Sequence, residues 1–143
     1  MVRKVTESFR WDGVDVHPYK ETGSHFKSIT RQTLAPGEYD LPTELRYFEI
    51  LPGGHSTLER HDHSHLVVII RGSGAVLVGD QVTEIGLHDI VRVPPQTWHQ
   101  FRAVNDEPLG FLCIVHEERD RPHRPDEAEA ADLAARLGEF VKL

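Results

Sequence analysis

Between Pro52 and His116 a turn signal recurs every few residues, and this cadence limits the fold more than any other feature of the chain. Pro52-Gly53-Gly54, Gly72-Ser73-Gly74, Gly79-Asp80, Gly86-Leu87-His88-Asp89, Pro94-Pro95-Gln96 and Asn105-Asp106 punctuate the segment. The stretches between them are short and rich in β-formers: His65 to Arg71, Ala75 to Val78, Gln81 to Ile85, Ile90 to Val93, His99 to Val104 and Leu109 to Val115. Short strands spaced this evenly predict an all-β sandwich or barrel. Leu45 to Leu51 reads as one more strand, stopped by Pro52-Gly53-Gly54.

The ends read differently. Residues 1–27 form a polar, unpatterned N-terminal arm, with Trp11, Tyr19 and Phe26 as its possible anchors. Residues 28–116 hold the barrel. Residues 117–143 begin as a charged linker, Glu117 to Pro125, and end as a helix over Asp126 to Val141. Leu133, Leu137, Phe140 and Val141 make one apolar stripe on that helix, to pack on the barrel or on a partner subunit. No strictly apolar run is longer than Leu66 to Ile70, far short of the ~20 residues that a membrane-spanning helix requires. A formal charge of -7 argues against sequence-independent binding to nucleic acid or anionic lipid. With no apolar core in Met1 to Arg10, the expected location is cytoplasmic. The single cysteine, Cys113, excludes a disulfide framework and reads as a small buried hydrophobe in its apolar strand.

Ten histidines stand out beside one Met and one Cys, and three of them fall in Glu59-Arg60-His61-Asp62-His63-Ser64-His65. Alternate side chains of a strand share a face, so Glu59 and His61 point the same way if Thr57 to His61 is extended. Asp62 to Ser64 turns the chain, and His65 returns beside His61 across an antiparallel pair. His99 opens a later strand just after the Pro94-Pro95-Gln96 turn. Three imidazoles and a carboxylate, Glu59, His61, His65 and His99, form a ligand set for one divalent transition metal. Mn or Fe is expected first, with Ni, Cu and Zn as alternatives. His63, in mid-turn, is expected in solvent.

At these residues the chain resembles the cupin superfamily, as a small single-domain metal-binding member with a type-2 conserved barrel. The first cupin motif spans residues 52–72: Gly53, five residues, Glu59-Arg60-His61, three residues, His65, six residues, Gly72. The second spans residues 88–103 through His88, Pro94, Gln96, His99 and Ala103. Glu59 stands at a His position of the motif and His65 at its Glu position, so the inventory of three His and one Glu survives with two members exchanged. His88 and Gln96 stand where the motif has Gly. An alternative register pairs His61 with His63, places Val67 at the Glu position and Gly74 at the closing Gly, and gives a three-His site with His99. The resemblance implies an antiparallel double-stranded β-helix, a jelly-roll barrel, with a C-terminal α-helix appended. It also implies pairing of two copies, with Ser28 to Leu34 and the C-terminal stripe supplying the surface.

The implied chemistry is that of a metal-dependent enzyme, dioxygenase-like or proton-transferring, on a small oxygenated molecule that chelates the metal. A lyase or isomerase fits the same description, and a non-catalytic ligand-binding or sensing module is the alternative. If Glu59 does not coordinate, it becomes the catalytic base. Strand parity nominates Val67, Ile69 and Phe101 as apolar pocket wall, with Tyr47, Arg46 and His55 as polar contacts. Trp98 then points outward or caps the mouth.

Overall fold

The computed structural model describes residues 2–143. Eleven strands precede one helix: β1 (Val5–Glu7), β2 (Arg10–Trp11), β3 (His17–Pro18), β4 (Lys27–Ala35), β5 (Thr43–His55), β6 (His65–Arg71), β7 (Gly74–Val78), β8 (Gln81–Ile85), β9 (Ile90–Val93), β10 (His99–Arg102), β11 (Leu109–His116) and α1 (Glu127–Leu137). All recorded strand pairings are antiparallel. One curled sheet runs β8-β7-β10-β5-β11-β6-β9, with β4 also paired to β5 and β3 paired to β4. This is the expected jelly-roll barrel with a C-terminal helix. No helix among the described residues is long and apolar enough to cross a membrane.

Register decides which side chains enter the barrel. Arg46 pairs with Cys113 and Phe48 with Phe111, while Phe111 pairs with Ile69 and Cys113 with Val67. Those residues and their i±2 neighbours face inward. Ile50, Val67, Ile69 and Leu109 are fully buried there, each contributing about 1.5–3 kcal/mol by burial. The neighbours of opposite parity face out. Tyr47 is one of them: it donates to Glu49 at 2.9 Å and packs under Phe9 and Trp11 of the arm.

Two boundaries depart from expectation. β5 does not stop at Pro52. Gly53 takes φ +75°, its N–H donates to the Ala103 carbonyl at 2.9 Å, and the Gly54 carbonyl accepts from Ala103 at 3.1 Å. The partner strand's end carries the chain through the Pro-Gly-Gly signal. The helix ends at Leu137, because Gly138 adopts φ +59° and a single 3-10 turn follows. Its start is as expected: Asp126 caps it by accepting the Glu129 N–H at 2.9 Å, and Glu129 reaches back to the Asp126 N–H at 3.1 Å. The apolar stripe packs on its own barrel, where Leu133 and Val141 join Leu58 and Leu77, with Leu137, Phe140 and Trp98 against them. β4 is likewise paired to β3 and β5. The C-terminal stripe nominated for a dimer is therefore packed within the chain, while β3 covers β4 only at Thr30 and Arg31.

His88 and Gln96, at the Gly positions of the second motif, take φ +73° and +53°. The backbone keeps the left-handed turns and the side chains bear the cost. Gly72 has no such latitude. It sits at φ +62°, and a Cβ there would lie 2.1 Å from the Pro108 carbonyl oxygen. Gly72→Ala is expected to destabilise the fold by about 2 kcal/mol or more, read as a lower urea midpoint.

Candidate metal centre

The turn Asp62-His63-Ser64 and the turn Pro94-Pro95-Gln96 lie against each other. Gln96 N–H donates to the His61 carbonyl at 2.7 Å, and its side chain donates to Asp62 at 2.6 Å. Glu59 and His99 exchange backbone hydrogen bonds at 3.3 and 3.0 Å. These ties bring the start of β10 beside the strand-like segment that ends at His61, while His65 opens β6. One ring nitrogen each from His61, His65 and His99 lies within 4.8 Å of the others.

Hydrogen bonding sets the tautomers. His61 Nδ1 lies 2.7 Å from the His63 carbonyl and His99 Nδ1 lies 2.9 Å from the Thr97 carbonyl. A carbonyl only accepts, so in each ring the proton sits on Nδ1 and Nε2 keeps its lone pair. His61 Nε2 and His65 Nε2 are buried with no hydrogen-bond partner. Such orphaned groups are costly unless something occupies them. Burial and the neighbouring imidazoles push the His61 pKa down to about 4, and the same causes push His65 further down. Burial likewise lowers His99. All three rings are neutral at pH 7, as metal ligation requires. The donor set therefore fits a divalent cation, with His61, His65 and His99 as its holders.

The sign of the pH dependence follows. A depressed imidazole pKa means that protons compete for the site only at low pH. Metal affinity is expected to stay nearly constant from pH 8 to about 5 and to fall as pH approaches 4. An ordinary imidazole site would begin to lose metal near pH 6.5. Metal release followed by a chromogenic chelator across that range distinguishes the two.

Glu59 is buried beside the triad but is not brought together with it. Its Oε2 lies 2.6 Å from Lys20 Nζ, and the Tyr19 hydroxyl donates to Oε1 at 3.4 Å. Burial and the Glu59 charge raise the Tyr19 pKa, so that hydroxyl stays protonated. Both partners come from the N-terminal arm, whose polar, unpatterned sequence marks no site residue. The only sequence hint was Tyr19 as an aromatic anchor.

His63 is not in solvent. Its ring stacks on His61 with centroids 3.6 Å apart, and its Nδ1 lies 2.6 Å from Asp120. Burial alone would raise the Asp120 carboxyl, but the N–H groups of Asp62 and His63 and the His63 ring hold it well below the usual carboxylate range. His61, His63 and Asp120 thus make a second possible ligand group. His61 has one bare nitrogen and can serve only one group at a time. The buried triad is the better fit, since His63 Nδ1 and Asp120 already satisfy each other.

His65 and His99 of the triad, with Glu59 and His63, line a cavity of about 230 Å³. Ile29, Phe48, Phe101 and Phe111 form its apolar wall; Lys20, Arg31, Arg46 and Arg119 bring positive charge. Phe101 lines it. Val67 and Ile69 face the same interior but lie in the packed core below it. Tyr47 does not line it, because odd positions of β5 face outward and Arg46 and Phe48 face in. Cys113 is buried in its wall, with Sγ 3.7 Å from His65 Nδ1 and accepting from Arg46 Nη2 at 3.6 Å; burial pushes the thiol pKa up. Trp98 points away, stacked under the Arg60 guanidinium. Arg119, Asp120 and Pro122 come from the expected linker, which is strapped to the barrel by reciprocal backbone bonds between Arg60 and His123 at 2.9 and 2.8 Å.

Residues 46–115 match the protein family described as Cupin domain. A curated protein of Rhodospirillum rubrum, 1-methylthio-D-xylulose 5-phosphate methylsulfurylase, is 53% identical over 134 residues, 93% of this chain and 85% of its own length. A cupin 2 conserved barrel domain protein from Rhodopseudomonas palustris has a crystal structure that matches with a TM-score of 0.93 at 45% identity, covering 100% of both chains. The crystal structure of a cupin-2 domain from Rhodospirillum rubrum matches with a TM-score of 0.84 at 51% identity, over 94% of this chain and 90% of its own.

Proposed function

The chain belongs to the cupin family, and we propose that it is a metal-dependent enzyme acting on a small ketose phosphate that carries a thioether. The observation that carries the metal is the pair of bare, buried Nε2 atoms of His61 and His65 next to His99. Three neutral imidazoles suit Fe, Ni, Cu or Zn, and Mn where oxygens of substrate or water complete its shell. When bound, such an ion would supply Lewis acidity to the oxygens of a chelating substrate.

The substrate class rests on the relative that is 53% identical and whose name is that of an enzyme acting on 1-methylthio-D-xylulose 5-phosphate. The cavity supports it. An apolar wall suits a methylthio group, and cations suit a phosphate. Glu59 takes the proton from the carbon beside the substrate carbonyl. Lys20, 2.6 Å away, steadies the carboxylate, and Tyr19 donates to its other oxygen. The aromatic wall keeps water from the reacting carbon.

The test is direct. Protein loaded in turn with Mn, Fe, Ni, Cu and Zn is mixed with 1-methylthio-D-xylulose 5-phosphate in D₂O and followed by proton NMR. Deuterium uptake at the carbon beside the carbonyl, in the presence of one of these metals, is the expected result. Saturable binding without exchange or consumption, whatever the metal, would replace the enzyme with a ligand-binding module.

A further inference from the structure

The cavity of a chain with net charge -7 holds four cationic side chains, and three of them are already answered. Lys20 is paired with Glu59 at 2.6 Å. Arg46 and Arg119 share the Glu44 carboxylate at 3.5 and 3.3 Å. Arg31 differs. Among the described residues no carboxylate lies within ion-pair distance of it, its side chain makes no hydrogen bond, and its Nε is buried with no partner. A buried guanidinium nitrogen without an acceptor is expensive to maintain.

Its orientation is set by the strand. Ile29 and Arg31 share the inward face of β4, while Gln32 on the other face is buried and donates to the Phe9 carbonyl at 3.0 Å. Arg31 pairs with Phe48 of β5, so Arg46, two residues along and paired with Thr33, is its next inward-facing neighbour. The Arg46 guanidinium carbon sits over the Phe48 ring at 5.0 Å from its centroid, with Nε near Glu44 but outside hydrogen-bond geometry. Across the sheet the order is β4, β5, β11, β6. By register Arg31 stands across from Ile69 of β6, through Phe48 and Phe111, roughly 14 Å away at ~4.8 Å per strand. His65 lies four residues farther along β6, and the curl of the sheet brings it, His99 and Arg31 onto the wall of the same cavity.

We infer that Arg31, flanked by Arg46, is the phosphate-binding subsite of this cavity, a specificity determinant for phosphate monoesters over the neutral sugar. The inference rests on the reading of the substrate as a sugar phosphate. A guanidinium offers a planar pair of N–H donors that matches two phosphate oxygens, which a lysine cannot do. The same side chain acting only as packing would cover Phe48 with its stem and be indifferent to phosphate.

Calorimetric titration of the protein as purified with inorganic phosphate, D-xylulose 5-phosphate and D-xylulose tests it, in wild type, Arg31→Gln and Arg31→Lys. Wild type is expected to bind the phosphorylated sugar about 10–100-fold more tightly than D-xylulose. Arg31→Gln is expected to lose about tenfold or more for both phosphate ligands, with D-xylulose unchanged and the melting temperature near wild type; Arg31→Lys recovers part of the loss. If the Gln variant does not fold, Arg31→Lys alone decides: reduced phosphate affinity with unchanged D-xylulose supports the subsite. Phosphate affinities untouched by either substitution would overturn it, as would a wild type indifferent to phosphate. Phosphate binding that depends on Arg31, with no turnover of the methylthio sugar phosphate, would sink the catalytic reading and leave the subsite standing.

Discussion

His61→Ala, His65→Ala and His99→Ala are each expected to strip the protein of its divalent metal, while Glu59→Gln leaves it loaded. Even an outer hydrogen-bond partner of a ligand typically costs 10–100-fold in metal affinity, so loss of a ligand should exceed that. The three rings converge from separate elements, and two of their free nitrogens are buried without partners. Removing any one leaves a two-nitrogen site. Glu59 is committed elsewhere, its Oε2 at 2.6 Å from Lys20. His63→Ala should cost less than any of the three. The carbonyl that orients His61 belongs to the His63 backbone and survives the substitution; only the stacked ring is lost. Metal content and chelator competition on the purified variants rank all five. A larger loss for His63→Ala than for His65→Ala would favour the register that pairs His61 with His63.

Glu59→Gln is expected to lower turnover of the methylthio sugar phosphate by roughly 10²–10⁴-fold, the range for a general base, at unchanged metal content. The substitution keeps the shape of the side chain and removes its ability to take a proton. Substrate binding measured in parallel separates the two effects, since a base acts on kcat and a binding group on KM. Loss of metal together with activity would return Glu59 to the ligand set.

The barrel was legible because its turns are written in Gly, Pro, Asn and Asp, and because the segment that follows each is short and β-branched. β6, β8 and β9 begin and end where the local pattern puts them. The triad was legible for a related reason: His61, His65 and His99 each adjoin a turn, so parity and pairing sufficed to converge them. What local pattern could not supply was long-range. Lys20 and Tyr19 reach Glu59 from the arm across 39 and 40 residues, and Asp120 reaches His63 across 57. Nothing in a polar, unpatterned arm or a charged linker says which barrel residue it will meet. Tyr47 illustrates a different limit. Neighbouring residues of β5 point to opposite faces, and only the pairing of Arg46 with Cys113 tells which parity is inside.

Diffraction from crystals grown with manganese, collected on both sides of the manganese absorption edge, tests the central claim most directly. An anomalous peak at about 2.0–2.3 Å from a ring nitrogen of each of His61, His65 and His99 is the predicted result. A peak held instead by His63 and Asp120, or no peak within the barrel at all, would contradict it.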